Sequence, residues 1–271
     1  HIGDHLSDLC YFYENRPALM KHLPNLITLL NVLFGSIAAV FAVLNRLEWA
    51  AVFFILGVLC DFADGLLARR LGVQSELGIQ LDSLADMITS GLVPGLVMCQ
   101  LLAMSVNAGW NADSFFAEAL DREGWWGAWL PFVGLCITMS TALRLARFNL
   151  DENQVNSFVG LPSPANALLI LSLPLILMYN GSEFTNTLIL NPWFLFGLTV
   201  LSSYLLNAPI RLFALKFDNY SFKDNSVKYI FLILSLVLVL TLQFLAIPLI
   251  IIAYVLFSLI SPKGSDTLEV D

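Results

Sequence analysis

Long apolar segments recur along the whole chain and constrain its fold more than any other feature. Several approach the length of about 20 residues that an α-helix needs to cross a bilayer. They cover residues 26–44, 49–60, 84–104, 125–143, 165–180, 192–210, 229–245 and 247–260. Only 13% of the residues are charged, about half the share that is typical of a soluble domain. The sequence therefore predicts an all-α integral membrane protein with about eight transmembrane helices.

The last two apolar segments are separated by a short break at Ala246, Ile247 and Pro248. Because proline can bend a helix as well as end it, residues 229–260 fit either two transmembrane helices or one bent helix. The second alternative leaves seven spans.

The basic residues predict the orientation of the chain in the membrane. Lysine and arginine accumulate in short cytoplasmic segments, whereas acidic residues carry little orientation signal. With eight spans and a cytoplasmic N-terminus, every basic residue except Arg46 and Arg122 lies on the cytoplasmic side. We therefore expect both termini in the cytoplasm.

The same pattern divides the chain into three segments. Residues 1–22 mix charged residues with apolar and aromatic ones, which fits a helix lying in the membrane interface and equally fits a partly ordered tail. Residues 23–261 form a single transmembrane domain, because no repeat or composition shift marks a second one. Residues 262–271 form a C-terminal tail.

Four aspartates lie on the second and third apolar segments. On a helix, residues three or four apart share a face, so Asp61 pairs with Asp64 and Asp82 pairs with Asp86. The connection, residues 70–81, is short enough to place both pairs side by side near the cytoplasmic surface. Acidic residues in spanning helices cost free energy and usually mark a functional site. Hard oxygen ligands of this kind favour Mg²⁺ or Mn²⁺.

Small residues accompany the aspartates. Gly65, Ala68 and Gly78 would let a flat or phosphorylated ligand approach the helix backbone. Close helix packing explains small residues equally well, and Gly91 and Gly95 in the next segment are expected to illustrate it. The spacing alone leaves both explanations open.

These residues form one pattern, DxxDGxxAR, eight residues and then GxxxDxxxD. It comprises Asp61, Asp64, Gly65, Ala68, Arg69, Gly78, Asp82 and Asp86. The pattern resembles, without departure, the signature of the CDP-alcohol phosphotransferase family. Members of that family are membrane enzymes that join a CDP-linked donor to an alcohol and release CMP.

The resemblance implies a role for each residue of the pattern. Asp61, Asp64 and Asp82 would hold divalent metal, as two ions of Mg²⁺ or Mn²⁺. Asp86 would be the base that deprotonates the acceptor hydroxyl, and an additional metal ligand. The small residues would line the nucleotide, and Arg69 would face a phosphate.

Three further stretches resemble one branch of the family, the membrane-embedded CDP-diacylglycerol–serine O-phosphatidyltransferases. They are LPNLITLLNVLFG at 23–35, ALRLARFN at 142–149 and FVGLPSPANA at 158–167. This resemblance covers residues 21–180 and implies that residues 23–261 are catalytic. The domain would transfer the phosphatidyl group of CDP-diacylglycerol to L-serine by direct attack, giving phosphatidylserine and CMP.

Asn25 and Thr28 lie one turn apart at the start of the first apolar segment. They resemble the family's polar contacts to the nucleotide or its phosphates. Alternatively, Asn25 caps the helix after Pro24, and the Thr28 hydroxyl bonds its own backbone.

Arg144 and Arg147 share a face at the cytoplasmic end of the fourth segment, and Asn149 follows them. An arginine fork binds carboxylates and phosphates through paired hydrogen bonds, so these residues are candidate contacts to serine. Arginines that only set the orientation of the segment are the alternative. Ser163 lies in a predicted turn between two prolines, where serine is common, and is not expected to be a nucleophile.

Other functions stay open at this point. Glycerol 3-phosphate or inositol phosphate as acceptor would need a stronger basic cluster, and choline would need an aromatic cage. Archaetidylserine synthesis would need only a different lipid tail, and four membrane acids also suit a cation-coupled transporter. The resemblance further implies a homodimer among membrane lipids in a prokaryotic inner membrane, with its active site facing the cytoplasm. No nucleic-acid partner is expected.

Overall fold

The computed structural model describes residues 16–73, 75–107, 129–150, 158–212 and 226–260. The described chain is helical almost throughout. Its α-helices are α1 (Arg16–Val43), α2 (Leu47–Leu71), α3 (Glu76–Asp86), α4 (Val93–Asn107), α5 (Leu135–Leu150), α6 (Ser163–Tyr179), α7 (Glu183–Ile189), α8 (Pro192–Asn207), α9 (Ser226–Leu242) and α10 (Ala246–Ile260).

Three shorter helical segments complete these elements. A π-helical turn, Met87–Leu92, joins α3 directly to α4, and we call it the π-turn. Short 3₁₀ segments precede α5, at Leu130–Gly134, and join α9 to α10, at Gln243–Leu245. The π-turn follows Asp86 without a break, and single π-turns inside helices often occur at functional sites.

Local sequence signals explain where several helices begin and end. Ser75 accepts a hydrogen bond from the Gly78 amide at the start of α3. A reciprocal pair formed by Ser182 and Thr185 starts α7, and both satisfy amides that would otherwise lack partners. Gly72 ends α2 with a φ of 64°, in the left-handed region where glycine is favoured.

The buried core surrounds α4. Its largest fully buried side chains on α4 are Met98, Leu101, Leu102 and Met104, which pack with buried residues of α1, α2, α5, α6 and α8. The outer faces of α1 and α2 and most of α9 are instead apolar and exposed. This distribution is typical of a helix bundle whose outer surface faces lipid.

Four helical stretches among the described residues are long and apolar enough to cross a membrane, and a fifth counts if α7 and α8, bent by 62°, form one span. The four, judged by length and composition, are His22–Val43, Leu47–Leu71, Glu76–Val106 and Lys228–Ser258, and the last of these covers most of both α9 and α10. The protein is therefore an integral membrane protein. The predicted count of eight spans and the predicted orientation stay predictions.

Helices α9 and α10 fold back on each other. The rings of Phe231 on α9 and Tyr254 on α10 lie 5.8 Å apart, although a straight helix would separate residues 23 positions apart by about 35 Å. The reversal lies at Gln243, which has a φ of 49°. Of the two alternatives for residues 229–260, the structure therefore favours two helices over one bent helix.

Two predicted boundaries can be compared with the helices. Helix α1 begins at Arg16 and contains Pro24, so the described residues 16–22 belong to the same helix as the start of the predicted domain at residue 23. The connection predicted over residues 70–81 is shorter, because α3 begins at Glu76 and includes Gly78. Residues 1–15 and the predicted tail, 262–271, lie outside the described residues, and the three-segment division stays a prediction.

A short antiparallel pairing closes one end of the bundle. Strand β1 (Phe158–Val159) pairs with β2 (Arg211–Leu212), and the adjacent Gly160 amide donates to the Ile210 carbonyl. Gly160 has a φ of 76°, and a Cβ there would lie 2.5 Å from the Leu206 carbonyl oxygen. This pairing ties the chain that enters α6 to the chain that leaves α8.

Candidate active site

Helices α2 and α3, which both pack against α1, carry the carboxylates of the site. At the end of α2, the amide of Val73 donates to the carbonyl of Ala68. Ser75 then caps α3 within three residues of Gly72. Only residues 72–75 separate the two helices, and both contribute residues to one cavity.

Three aspartates converge across this helix pair. Carboxylate oxygens of Asp61, Asp64 and Asp82 all lie within 4.8 Å of one another. Asp64 is only 5% exposed, and its Oδ2 has no hydrogen-bond partner among the described residues. Three anions at this separation repel one another strongly in a partly buried site. The arrangement fits a divalent cation, because Mg²⁺ and Mn²⁺ prefer carboxylate oxygens and would satisfy the unpartnered atom.

A cavity of about 590 Å³ opens beside the aspartates. Its lining is formed by Pro24, Asn25, Thr28, Asp61, Phe62, Asp64, Gly65, Ala68, Arg69, Val73, Ser75, Gly78, Ile79 and Asp82. Nine predicted site residues are thus brought to one cavity. Asp86, Arg144, Arg147 and Asn149 are not among its lining residues. Their predicted roles, like those of the nine, stay predictions.

The small residues of the cavity differ in what surrounds them. A Cβ on Gly65 would meet no atom closer than 3.9 Å, at Nη2 of Arg69. A Cβ on Gly78 would lie 3.2 Å from Oγ of Ser75 and 3.3 Å from Oδ1 of Asn25. Gly65 therefore leaves open space beside the carboxylates, whereas Gly78 is needed for the close approach of α1 and α3.

Packing accounts for the glycines of the next segment, as expected. A Cβ on Gly91 would lie 3.1 Å from Cγ2 of Thr141. The carbonyl of Gly91 also accepts a hydrogen bond from the Thr138 hydroxyl at 3.0 Å. These contacts hold α5 against the π-turn, which follows Asp86.

Asn25 and Thr28 line the cavity from α1. The interpretation of Asn25 as a helix cap is wrong, because α1 begins nine residues earlier, at Arg16. Thr28 donates to the carbonyl of Pro24 at 3.1 Å, as the backbone alternative predicted, and its hydroxyl also lies within hydrogen-bonding reach of Asp64. Because proline has no backbone N–H, residue 24 donates no hydrogen bond within α1.

Asp86 is the last residue of α3. Its carboxylate is close enough to interact electrostatically both with the other aspartates and with the Arg144 guanidinium. Nη1 of Arg144 donates to Oγ of Ser163 at 2.8 Å. The fourth aspartate therefore has a basic neighbour, which distinguishes its surroundings from those of the other three.

The remaining candidates on α5 diverge. Arg147 and Asn149 are both exposed, whereas Arg144 is half-buried and its Nε has no partner among the described residues. Asn149 donates to Oγ of Ser83 at 3.0 Å, which joins the end of α5 to α3 next to Asp82. Arg144 is thus held by α6, through Ser163, whereas Asn149 is held by α3, through Ser83.

Sequence reasoning missed Ser163 and Ser83 as partners of site residues. The sequence predicted a turn at Ser163, but Ser163 is the first residue of α6 and is fully buried. Its partner Arg144 lies 19 positions earlier. No local spacing rule connects such residues, so only the packing of α5 against α6 reveals the pair. Ser163 acts here as a hydrogen-bond acceptor.

Known proteins are similar in sequence to this chain. A CDP-diacylglycerol–serine O-phosphatidyltransferase of Bacillus subtilis is 31% identical over 149 residues, which are 54% of this chain and 71% of the relative. One of Mycobacterium leprae is 28% identical over 188 residues, 66% of this chain and 56% of the relative.

An archaetidylserine synthase of Methanothermobacter thermautotrophicus is 29% identical over 160 residues, 58% of this chain and 60% of the relative. The chain thus spans less than two thirds of the length of the mycobacterial and archaeal relatives.

The sequence profile of a whole family matches as well. The CDP-alcohol phosphatidyltransferase profile aligns with residues 21–205, a range that contains all the aspartates of the site and every residue that lines the cavity. The match covers more than half of the chain. The chain therefore belongs to the CDP-alcohol phosphatidyltransferase family.

Proposed function

We propose that the protein transfers the phosphatidyl group of CDP-diacylglycerol to the hydroxyl of L-serine, giving phosphatidylserine and CMP. The observation that carries this proposal is the convergence of Asp61, Asp64 and Asp82 in one cavity, in a chain of this family. The names of the bacterial relatives support serine as the acceptor.

Asp61, Asp64 and Asp82 would hold two divalent ions, Mg²⁺ or Mn²⁺, with Asp86 as an additional ligand. Bound divalent cations neutralise a pyrophosphate and stabilise the charge that develops on a reacting phosphoryl group. Gly65 and Ala68 leave space for the cytidine next to these carboxylates, and Arg69 extends from the same helix face toward phosphate. Asn25 and Thr28 complete the polar wall on α1.

The acceptor would enter from the side of Asp86. The serine oxygen forms a bond to the β-phosphorus while the bond between that phosphorus and the bridging oxygen of CMP breaks. Asp86 takes the hydroxyl proton, and CMP leaves with the bridging oxygen. Arg144 would bind the serine carboxylate through its unpartnered edge, while Ser163 holds Nη1. Arg147 and Asn149 would assist at the rim.

The cavity has an apolar rim that suits a lipid donor. Phe62 is 66% exposed and Ile79 is 55% exposed, and both belong to the cavity lining. Acyl chains can therefore remain in the membrane while the CDP group reaches the aspartates. The match to an archaetidylserine synthase supports a second candidate, the same transfer to serine from a donor with archaeal lipid tails.

We place the site on the cytoplasmic face of a prokaryotic inner membrane, in a homodimer with eight spans per chain. Ser75 would then face the cytoplasm and Ser182 the opposite side. In a variant without native cysteines, Ser75→Cys should react with a membrane-impermeant maleimide in inside-out vesicles. Ser182→Cys should react only in right-side-out vesicles, and the reverse pattern would reject this orientation.

One assay tests the proposed reaction. Purified full-length protein should release CMP from CDP-diacylglycerol only when L-serine and Mn²⁺ or Mg²⁺ are present. Glycerol 3-phosphate, inositol phosphate and choline replace serine in parallel, and an archaeal CDP-lipid replaces the donor. Faster CMP release with another alcohol would reject serine as the acceptor.

A further inference from the structure

A buried hydrogen bond joins α1 to the π-turn behind the aspartates. Oγ1 of Thr89 donates to Oδ1 of Asn31 at 2.6 Å. Thr89 is 1% exposed and Asn31 is fully buried, and Nδ2 of Asn31 has no partner among the described residues. A hydrogen bond between buried side chains of separate helices is costly to leave unmade, so this one constrains how α1 and the π-turn pack.

Helix α2 meets the same point through a glycine. A Cβ on Gly57 would lie 2.9 Å from Oδ1 of Asn31 and 2.9 Å from Cγ2 of Thr89. On α1, a Cβ on Gly35 would lie 3.2 Å from Cγ2 of Ile88. Three elements therefore meet with no room for a methyl group. We call the contact formed by Asn31, Gly57 and Thr89 the three-helix contact.

Each member of the three-helix contact lies about one turn behind a residue of the site. Asn31 follows Thr28 by three positions, Thr89 follows Asp86 by three, and Gly57 precedes Asp61 by four. Three or four residues of helix span about 5 to 6 Å along its axis. The three elements that carry site residues are thus joined at one common depth, directly behind those residues.

We propose that the three-helix contact is a positioning device that sets the relative placement of Asp61 and Asp86 and so the affinity of the site for divalent metal. The Thr89 hydrogen bond holds the π-turn, which begins immediately after Asp86. A π-turn that relaxes to α-helix shifts the register by one residue, which rotates one side relative to the other by about 100°. Loss of the hydrogen bond therefore turns Asp86 away from Asp61.

The proposal rests on the proposed metal site, so the test measures metal binding apart from activity. Mn²⁺ binding to the full-length protein in detergent is followed by the electron paramagnetic resonance signal of free Mn²⁺, without substrate. Thr89→Val keeps the side-chain volume and removes the hydroxyl. It should weaken Mn²⁺ affinity about tenfold or more, because removing an outer partner that orients a metal ligand typically costs about 10- to 100-fold in metal affinity.

Thr89→Ser retains the hydroxyl and should restore the affinity to within about threefold of wild type. Thr199→Val is the matched control, because Thr199 is also fully buried and, among the described residues, its hydroxyl bonds within its own helix, at the Leu195 carbonyl. That control should leave Mn²⁺ affinity unchanged. Asn31→Ala removes the acceptor of the same hydrogen bond and should weaken Mn²⁺ affinity as much as Thr89→Val does. If one of the two variants does not fold, the other still provides the test.

Wild-type Mn²⁺ affinity in either folded variant would overturn the proposal, and so would an equal loss in Thr199→Val. A wild-type protein that binds no Mn²⁺ would remove the metal site and this inference together. A wild-type protein that binds Mn²⁺ but releases no CMP with serine would reject only the proposed function, and the comparison of affinities would still apply.

Discussion

At the scale of single residues, the site separates its four aspartates into two environments. Carboxylate oxygens of Asp61, Asp64 and Asp82 lie within 4.8 Å of one another, whereas Asp86 also interacts electrostatically with the Arg144 guanidinium. Carboxylates that face only one another are suited to hold cations. A carboxylate next to an arginine can take the hydroxyl proton of an acceptor alcohol that the same arginine binds.

Asp86→Asn should abolish turnover while CDP-diacylglycerol binding persists. The amide keeps the shape of the side chain but cannot accept the proton, and loss of a general base lowers kcat by about 10² to 10⁴. The measurement is CMP release beside equilibrium binding of the CDP-lipid. Glu183→Gln on exposed α7 is the control. CMP production at the wild-type rate would exclude Asp86 as the base.

Arg144→Ala should raise KM for serine more than KM for the lipid, whereas Arg147→Ala should have a smaller effect. Arg144 is half-buried and held by Ser163, while Arg147 is exposed. Hydrogen bonds to charged groups contribute about 1.5 to 3 kcal/mol, which corresponds to a rise of about 10- to 100-fold in KM.

Ser163→Ala should change the serine KM in the same direction as Arg144→Ala, because it frees the guanidinium. Ser172→Ala is its matched control, since Ser172 is buried on the same helix and bonds the Leu169 carbonyl. An equal change in both KM values for Arg144→Ala would argue against a serine contact.

At the scale of elements, the pair α2 and α3 carries most of the site, and much of it could be predicted. Spacings of three and four residues place aspartates on one face of a helix, and a short connection makes consecutive helices antiparallel neighbours. Both arguments are local. They predicted the convergence of Asp61, Asp64 and Asp82 that the structure contains.

Elements whose form depends on distant partners could not be predicted in the same way. The π-turn contains Thr89, whose hydrogen-bond partner Asn31 lies 58 positions away, and periodicity alone could not reveal that contact. Helix α1 continues through Pro24. Hydropathy suggested a later start, because the first turns of α1 are less apolar than the segment that follows.

Gly65→Ala and Gly78→Ala should separate the two roles of small residues on these helices. The methyl group at Gly65 has room and should leave stability unchanged or raise it by about 0.5 to 1 kcal/mol. It should nevertheless raise KM for the CDP-lipid. At Gly78 the methyl group presses on Asn25 and Ser75, so thermal stability should fall. Unchanged lipid KM in Gly65→Ala would show that the open space beside Asp64 holds no part of the nucleotide.

At the scale of the whole molecule, the bundle joins a tightly packed family region to a final helical hairpin. The matched range ends at residue 205, before α9 and α10. The hairpin contacts the rest of the bundle at its turn, where the ring of Phe244 lies 5.4 Å from the ring of Tyr179 and Asn180 donates to Gln243. It also packs along α10, where Ile251 clusters with Leu161 and Leu169. The aspartates belong to the other end of the bundle, so the hairpin supports the scaffold without lining the described cavity.

Mn²⁺ should protect the whole protein against thermal unfolding, and a chelator should reverse the effect. A ligand that binds only the folded state at 100 times its dissociation constant adds about 2.7 kcal/mol to the free energy of unfolding. Bound Mn²⁺ also relieves the repulsion among the aspartates, which further raises the free energy of unfolding. The melting temperature of Asp64→Asn should respond far less to Mn²⁺ than that of Glu183→Gln. An equal response would place the protective metal elsewhere.

The apolar rim formed by Phe62 and Ile79 implies that the reaction rate depends on the surface concentration of the proposed lipid donor in the membrane. A donor that arrives sideways through the bilayer is counted per unit of membrane area, so adding inert phospholipid should slow the reaction even when the amounts of protein and donor in the tube are unchanged. Serine, the proposed acceptor, would arrive from water, where its concentration is set per unit of volume. Growth of the membrane would therefore lower the surface concentration of the lipid donor without changing the concentration of serine in solution.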